Sequence, residues 1–364
     1  MTERGGSRST DASEEDRLPL QPHLFLVLQA DRPLAGGVRL ALDGVDEVRL
    51  GRTLERSFRR EGRTLTVGLS DGRVSSSHAR LRRAASEWFA EDAGSTNGLG
   101  VNGRNVDQAA LSDGDLLEVG RTFLLYRACE GSDPGVFEAE CDLSGLSTLR
   151  PGLARALVEL GAVSRSAVPV LLRGERGAGK ELAARWVHAR SGRPGPFQRV
   201  WCGGSEAAGD WTGLIRSADG GTLFLDEVAD LPPGGQSALQ RALEESEAAR
   251  VDVRIVSASS EDLEARVGAN GFRTDLLARL SGFVLALPPL RERREDLGLL
   301  VAAILRRRLP DRAGEITLSA SAARALITGA WPLNLRQLEE VLLAAASGAP
   351  DGVLPQSAFT ASSR

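Results

Sequence analysis

The sequence predicts a multidomain chain: an all-β sandwich, then an α/β domain, then a small helical subdomain. Three observations carry this. From His23 to about Arg127 the chain runs as short apolar segments separated by Gly, Asp and Asn turns, the pattern of a sandwich. Beyond a break at "EGSDPG", apolar strand patterns alternate with helical ones, the mark of a mainly parallel sheet. From Glu295 onward only helical periodicity remains.

Taken in order, residues 1–20 are polar and acidic and are expected to be a disordered tail. The sandwich is expected over 21–128. Its strands read as "HLFLVLQ", "GVRLAL", "EVRLGR", "RTLTVG", "HARLRR", "EWFAED" and "GDLLEVGRTFLLYR". A linker is placed at 129–148. The α/β unit follows over 149–292. In it "GLARALVELGAVSRS", "ELAARWVHARS", "SALQRALEES" and "DLLARL" read as helices, and "VPVLLRG", "GTLFLDE" and "VDVRIVSAS" as strands. A helical lid is expected over 293–348, with Ser319 capping its second helix. Residues 349–364 read as a tail.

Composition narrows the function. The 364 residues carry a net charge of −4, which gives no general pull toward nucleic acid or anionic membrane. No apolar run approaches the ~18–20 residues of a membrane span. "MTERGGSRSTDASEED" lacks the apolar core of a signal peptide, and a cytoplasmic protein is expected. Cys129, Cys141 and Cys202 are scattered and form no CxxC pair, so neither a zinc site nor a disulfide framework is indicated.

One residue stands out. Lys180 is the only lysine among 45 Lys and Arg residues. It ends "GERGAGK", where Gly174, Gly179 and Lys180 fit G-x-x-x-x-G-K between a predicted strand and a predicted helix. Glycines let backbone N–H groups close around phosphate oxygens, and the helix N-terminus adds favourable partial charge. A compact ammonium reaches terminal phosphates in a way a planar guanidinium does not. The loop Gly174, Glu175, Arg176, Gly177, Ala178, Gly179, Lys180 and Glu181 is therefore the expected cradle for ATP. Glu181 stands where a magnesium-binding Ser or Thr is usual. Downstream, "GGTLFLDE" is an apolar strand ending in Asp226 and Glu227. Ligands bind at the C-terminal edge of open α/β sheets. Asp226 is expected to hold hydrated Mg²⁺ there, and Glu227 to orient and activate the attacking water.

Together "GERGAGKE", "ADGGTLFLDEVADLP", "VDVRIVSASSEDL", "FRTDLLARL", "LPPLRERREDL" and "WPLNLRQLEEV" make residues 149–347 resemble the AAA+ domain of sigma-54-dependent transcription activators. That family also carries Glu after the loop lysine. The resemblance implies a P-loop ATPase that works as a ring oligomer, usually a hexamer. It implies a sensor position at Ser259 and Ser260, where the family has Thr-Asn. It also implies arginine fingers acting on a neighbouring subunit at Arg273 and Arg279, and a second sensor at Arg336. The family's "GAFTGA" loop has no counterpart: only "GGSEAAGDWTGLIRS" separates Cys202 from Ala218. Nor does a basic recognition helix follow the lid. Direct sigma-54 remodelling and DNA binding are accordingly not expected.

The N-terminal unit carries "LGR", "VSSSHARL", "DAGSTNGLGVNG" and "LSDGDLLEVG" in order. This resembles a forkhead-associated (FHA) domain, which binds phosphothreonine peptides. Arg52 and Ser75 are the leading phosphate ligands, Ser76 and Thr96 add hydroxyls, and Asn97 is expected to hold peptide backbone. His78 is expected to tie the loop together.

The combined expectation is a phosphothreonine-sensing AAA+ ATPase, using ATP and Mg²⁺ in a homo-oligomeric ring. The alternative is an FHA adaptor on a nucleotide-binding AAA+ scaffold that hydrolyses weakly or not at all.

Overall fold

The computed structural model describes residues 20–131, 135–139, 146–204 and 209–360. The expected N-terminal tail and Cys141 lie outside them, as do the end of the C-terminal tail and part of the segment after Cys202.

Among the described residues the N-terminal unit has thirteen strands: β1 Leu20–Gln29, β2 Val38–Ala41, β3 Glu47–Arg52, β4 Ser57–Glu61, β5 Thr64–Leu69, β6 Ala79–Ala84, β7 Glu87–Asp92, β8 Leu99–Val101, β9 Arg104–Val106, β10 Gln108–Leu111, β11 Leu116–Val119, β12 Thr122–Glu130 and β13 Val136–Glu138. They form two facing sheets, ordered β13-β2-β1-β12-β11-β8-β9 and β10-β7-β6-β3-β5-β4. Leu24, Leu26, Leu50, Val67, Leu81, Trp88, Leu117 and Leu124 fill the space between them. The segment 129–148 differs from the expected linker. Strand β12 runs through Glu130, and β13 adds an edge strand beside β2. Its Phe137 ring takes the Arg39 guanidinium at 4.7 Å, a contact that holds this short edge.

The α/β unit contains α1 Pro151–Val163, β14 Val170–Arg173, α2 Lys180–Ser191, β15 Phe197–Trp201, α3 Trp211–Ser217, β16 Thr222–Asp226, α4 Pro233–Ala248, β17 Arg254–Ser259, α5 Leu263–Gly268, α6 Thr274–Leu280 and β18 Phe283–Ala286. The five strands are all parallel, in the order β15-β16-β17-β14-β18. Successive side chains point to opposite faces. Val170, Leu172 and Phe224 therefore meet α1 and α2, while Leu171, Leu223 and Leu225 meet α3, α4 and α6. Among the described residues after Cys202, Asp210 caps α3 by accepting from the Gly213 N–H.

The lid contains α7 Leu297–Arg308, β19 Thr317–Leu318, α8 Ala320–Thr328, α9 Asn334–Ser347, β20 Val353–Leu354 and α10 Ser357–Thr360. Ser319 caps α8 by accepting from the Ala322 N–H. The residues beyond 348 differ from the expected tail. Strand β20 pairs with β19, and Leu354 and Phe359 are buried in the lid core.

The sandwich and the lid share one hydrophobic core. Strand β1 is buried on both faces: Leu24 and Leu26 face the second sheet, while Phe25, Val27 and Leu28 join Phe123 and Leu125 against the lid residues Leu297, Leu300, Val301 and Ile304. A bulge between Leu26 and Leu28 breaks the register with β12, which turns Val27 and Leu28 toward the lid together. Polar contacts surround this core. Arg324 grips Glu118 through Nε at 2.6 Å, Arg306 donates to the Leu34 carbonyl, and Arg127 reaches Glu295 at 3.3 Å. Asp296, fully buried, accepts from Thr148 Oγ1 and the Leu149 N–H, both at 2.7 Å.

Candidate nucleotide and phosphopeptide sites

Strand β14 leaves the sheet at Arg173, and the chain turns through Gly174–Gly179 into α2. Gly174, Gly177 and Gly179 all have positive φ, so the loop doubles back on itself as a phosphate cradle does. Lys180 opens α2 and is buried. Its Nζ donates to the Gly174 carbonyl at 2.7 Å and the Glu175 carbonyl at 3.2 Å, and pairs with Glu227 at 2.9 Å. Asp226 ends β16, and Glu227 follows with φ 55°.

Glu227 is held from two sides, since the Ser260 N–H and Oγ both donate to it, at 2.8 and 2.7 Å. Burial pushes its pKa upward, but the bonds from Lys180 and Ser260 outweigh burial and hold it below the usual carboxylate range. At neutral pH it is therefore an anion able to polarise water. Ser259 turns away, donating to the Glu261 carbonyl at 2.7 Å. The expected sensor pair thus faces Glu227 and the chain itself rather than the cavity.

A cavity of about 710 Å³ opens over these groups, a size suited to a nucleotide. Of the expected residues, Arg176, Gly177, Gly179, Lys180, Glu181, Asp226, Glu227 and Arg336 line it. Gly174, Glu175 and Ala178 belong to the loop but do not line the cavity. Glu175 is bound by Arg291 at 2.6 and 2.8 Å and by Asn334 at 3.1 Å, which hold its carboxyl down at about 2. Arg273 pairs with Asp275 at 2.6 Å and Arg279 with Glu247 at 3.2 Å. Neither lines the cavity of its own chain.

The lining also includes residues that sequence reading missed. Arg199 and Trp201 on β15 stand beside Asp226, and Arg307 and Arg308 on α7 pair with Glu339. Seven cationic side chains face four acidic ones around the cavity, leaving it net positive by three, as a polyphosphate needs. Magnesium takes oxygen ligands, commonly one or two carboxylates completed by phosphate and water. Asp226 supplies such a carboxylate on the cavity wall, so the residues fit the ion. Among the described residues no group of three or more His, Cys, Asp or Glu could hold a metal by itself.

The second site lies at one end of the sandwich. Arg52 ends β3, and its N–H donates to the Ser75 carbonyl at 2.9 Å. A Cβ on Gly51 would stand 2.2 Å from the Ser76 carbonyl oxygen, so only glycine lets the loop lie beside Arg52. The Thr96 N–H donates to Ser75 Oγ at 3.1 Å, which joins the two predicted hydroxyl-bearing loops. Arg52 and Ser76 are exposed there. Buried His78 clamps both loops: the Ser75 N–H donates to its Nδ1 at 3.0 Å, and its Nε2 lies 3.1 Å from the Gly98 carbonyl. These contacts select the neutral tautomer with hydrogen on Nε2. Asn97 donates to the Arg73 carbonyl at 2.7 Å, so its amide nitrogen supports the loop.

Comparison with known proteins matches three stretches of the chain to domain families. Residues 48–120 match the FHA domain, 153–290 the sigma-54 interaction domain, and 291–363 the AAA+ ATPase lid domain. The chain joins an FHA domain to a sigma-54-activator-type AAA+ domain. The response regulator protein PilR of Pseudomonas aeruginosa is 42% identical over 212 residues, covering 50% of this chain and 48% of PilR. The Nif-specific regulatory protein of Rhodobacter capsulatus is 38% identical over 236 residues, covering 57% and 41%. The chain therefore spans about half or less of these relatives. Among solved structures, NtrX of Brucella abortus in complex with ADP is 29% identical, with a TM-score of 0.52 over 59% of this chain and 55% of NtrX. The ATP complex of NtrX gives 0.51. No helix among the described residues of the FHA and AAA+ units is long and apolar enough to cross a membrane.

Proposed function

We propose that this chain is a phosphothreonine-sensing AAA+ ATPase, in which peptide binding at the FHA domain sets the activity of the nucleotide site through the lid. The observation that carries this is a continuous packed route. The FHA strand β1 shares a core with α7. The turn before α7 holds the phosphate loop: Arg293 donates to the Ala178 carbonyl at 3.0 Å, and Arg291 binds Glu175. A lid displaced by the FHA domain therefore moves the loop that grips phosphate. The ATP and ADP complexes of NtrX support a nucleotide in the corresponding cavity.

In this reading Lys180 and the loop N–H groups bind the phosphates, and Arg336 contacts nucleotide from the lid. Asp226 would hold magnesium, which neutralises charge on the transferred phosphoryl group. Glu227, released from Lys180 as that ammonium turns to phosphate, orients the attacking water. Arg273 and Arg279 act on a neighbour's nucleotide in a homo-oligomeric ring. With no "GAFTGA" motif in "GGSEAAGDWTGLIRS", the output is directed to a target other than the sigma-54 polymerase. The test is ATP turnover by the purified protein beside Lys180→Ala and Glu227→Gln. Both substitutions should abolish it, the first by loss of binding and the second with binding kept. Turnover unchanged by both would sink the proposal.

A second reading rests on Ser259 and Ser260, whose hydroxyls serve Glu261 and Glu227. Here the AAA+ domain binds ATP but acts as an assembly scaffold for an FHA adaptor. Tight ATP binding with negligible turnover at every protein concentration would select it.

A further inference from the structure

Asp226 has a cationic partner already. Arg199 projects from the edge strand β15 into the cavity and donates to one Asp226 oxygen through Nε at 3.1 Å and Nη2 at 2.6 Å. Its Nη1 lies 3.4 Å from Glu181, which also pairs with Arg185 at 2.8 Å. The parallel register explains the meeting. Trp201 is opposite Asp226, and Arg199, two residues earlier, shares its face of the strand. Arg199 therefore bridges the carboxylate at the end of β16 and the carboxylate that follows the loop lysine.

An uncompensated Asp226 beside Glu181 and Glu227 would repel the terminal phosphates of a nucleotide held on Lys180. That repulsion is what a divalent cation normally removes. A guanidinium fixed on Asp226 and Glu181 removes it without a metal, and its charge persists at any pH the protein meets. Arg199 remains about half exposed, so it can meet a phosphate oxygen from its open side.

We propose that Arg199 is a built-in counter-cation of the nucleotide site, so that nucleotide binding does not require magnesium and only hydrolysis does. This rests on the cavity being a nucleotide site. For turnover Asp226 would be the residue to hold the metal, while binding, and any assembly linked to it, proceeds on the chain's own cations.

The test is equilibrium binding of the non-hydrolysable analogue AMP-PNP to the full chain, by calorimetry, with magnesium and with EDTA. For wild type the two affinities should agree within about threefold. Arg199→Gln, which keeps a polar but shorter side chain and loses the charge, should bind about tenfold or more weakly in EDTA, with magnesium restoring most of the loss. Arg199→Lys, which keeps the charge but cannot bridge both carboxylates, should retain more of the affinity in EDTA than Arg199→Gln does. A wild type that already loses about tenfold in EDTA overturns the proposal, as does an Arg199→Gln variant with no new magnesium dependence. Absence of binding in both media overturns the nucleotide reading as well, whereas binding seen only with magnesium overturns the role of Arg199 alone.

Discussion

Gly298, the second residue of α7, lies against the carbonyl of Val27 on the bulged strand β1, so closely that a Cβ would stand 1.8 Å from that oxygen. Both partners are backbone, and neither yields by a rotamer change. The FHA domain and the AAA+ lid thus meet at a contact that admits only glycine.

Gly298→Ala should force the two units apart or distort α7, at a cost of about 1–3 kcal/mol. The melting temperature should fall. Any effect of a bound phosphopeptide on nucleotide affinity should shrink with it. Thermal melts and paired nucleotide titrations read the two effects separately.

At the FHA end, Arg52→Ala should abolish binding of the best peptide found in a phosphothreonine library. Ser75→Ala should weaken it while also loosening the Thr96 loop that Ser75 Oγ supports. Titration with the peptide and its unphosphorylated form checks this. A variant lacking Arg52 that binds as well as wild type refutes the phosphate assignment.

The interface should also respond to pH. Burial, reinforced by the charge of Asp296, raises the Glu295 carboxyl to about 7, although Arg127 and Arg150 pull it back. Cys129, its own pKa pushed up to about 11, and the buried Arg293 complete the surroundings. Between the ordinary carboxyl range and about 7, the folded protein keeps a proton that the unfolded chain releases. Stability from this group therefore falls as pH rises through that window and levels off above it. Asp296, also raised, acts with the same sign. Melting temperatures at pH 6 and pH 8 should differ less for Glu295→Gln than for wild type.

Arg279→Ala should leave nucleotide affinity unchanged, because Arg279 lies away from its own cavity, yet lower turnover about tenfold or more if it completes a neighbour's site. Mixing this variant with Lys180→Ala subunits provides the check. Turnover recovered by the mixture marks action across the subunit boundary.

Much of the candidate nucleotide site was legible because its parts are local. The loop from Gly174 to Lys180 and the pair Asp226–Glu227 are contiguous and sit at strand ends. The missed parts are tertiary. Arg199 is one arginine among many, and only the β15–β16 register puts it on Asp226. Glu295 and Asp296 sit in the charged stretch "RERREDL", whose composition gives no sign that both are buried, beside Arg127, Thr148 and Leu149. The run "HLFLVLQ" read as one strand of the sandwich, but its cover on the second face comes from α7, more than 260 residues away. Strands β4, β8, β9 and β10 are short or rich in polar residues and are held by their neighbours rather than by their own pattern.

In the proposed function the FHA domain governs the nucleotide site through the shared core. ATP turnover per subunit, measured across protein concentrations with and without a saturating phosphothreonine peptide, tests it most directly. Turnover should rise with concentration as rings form, and the peptide should shift that curve in wild type but much less in Gly298→Ala. A peptide that binds the FHA domain fully and leaves the wild-type curve in place would contradict it.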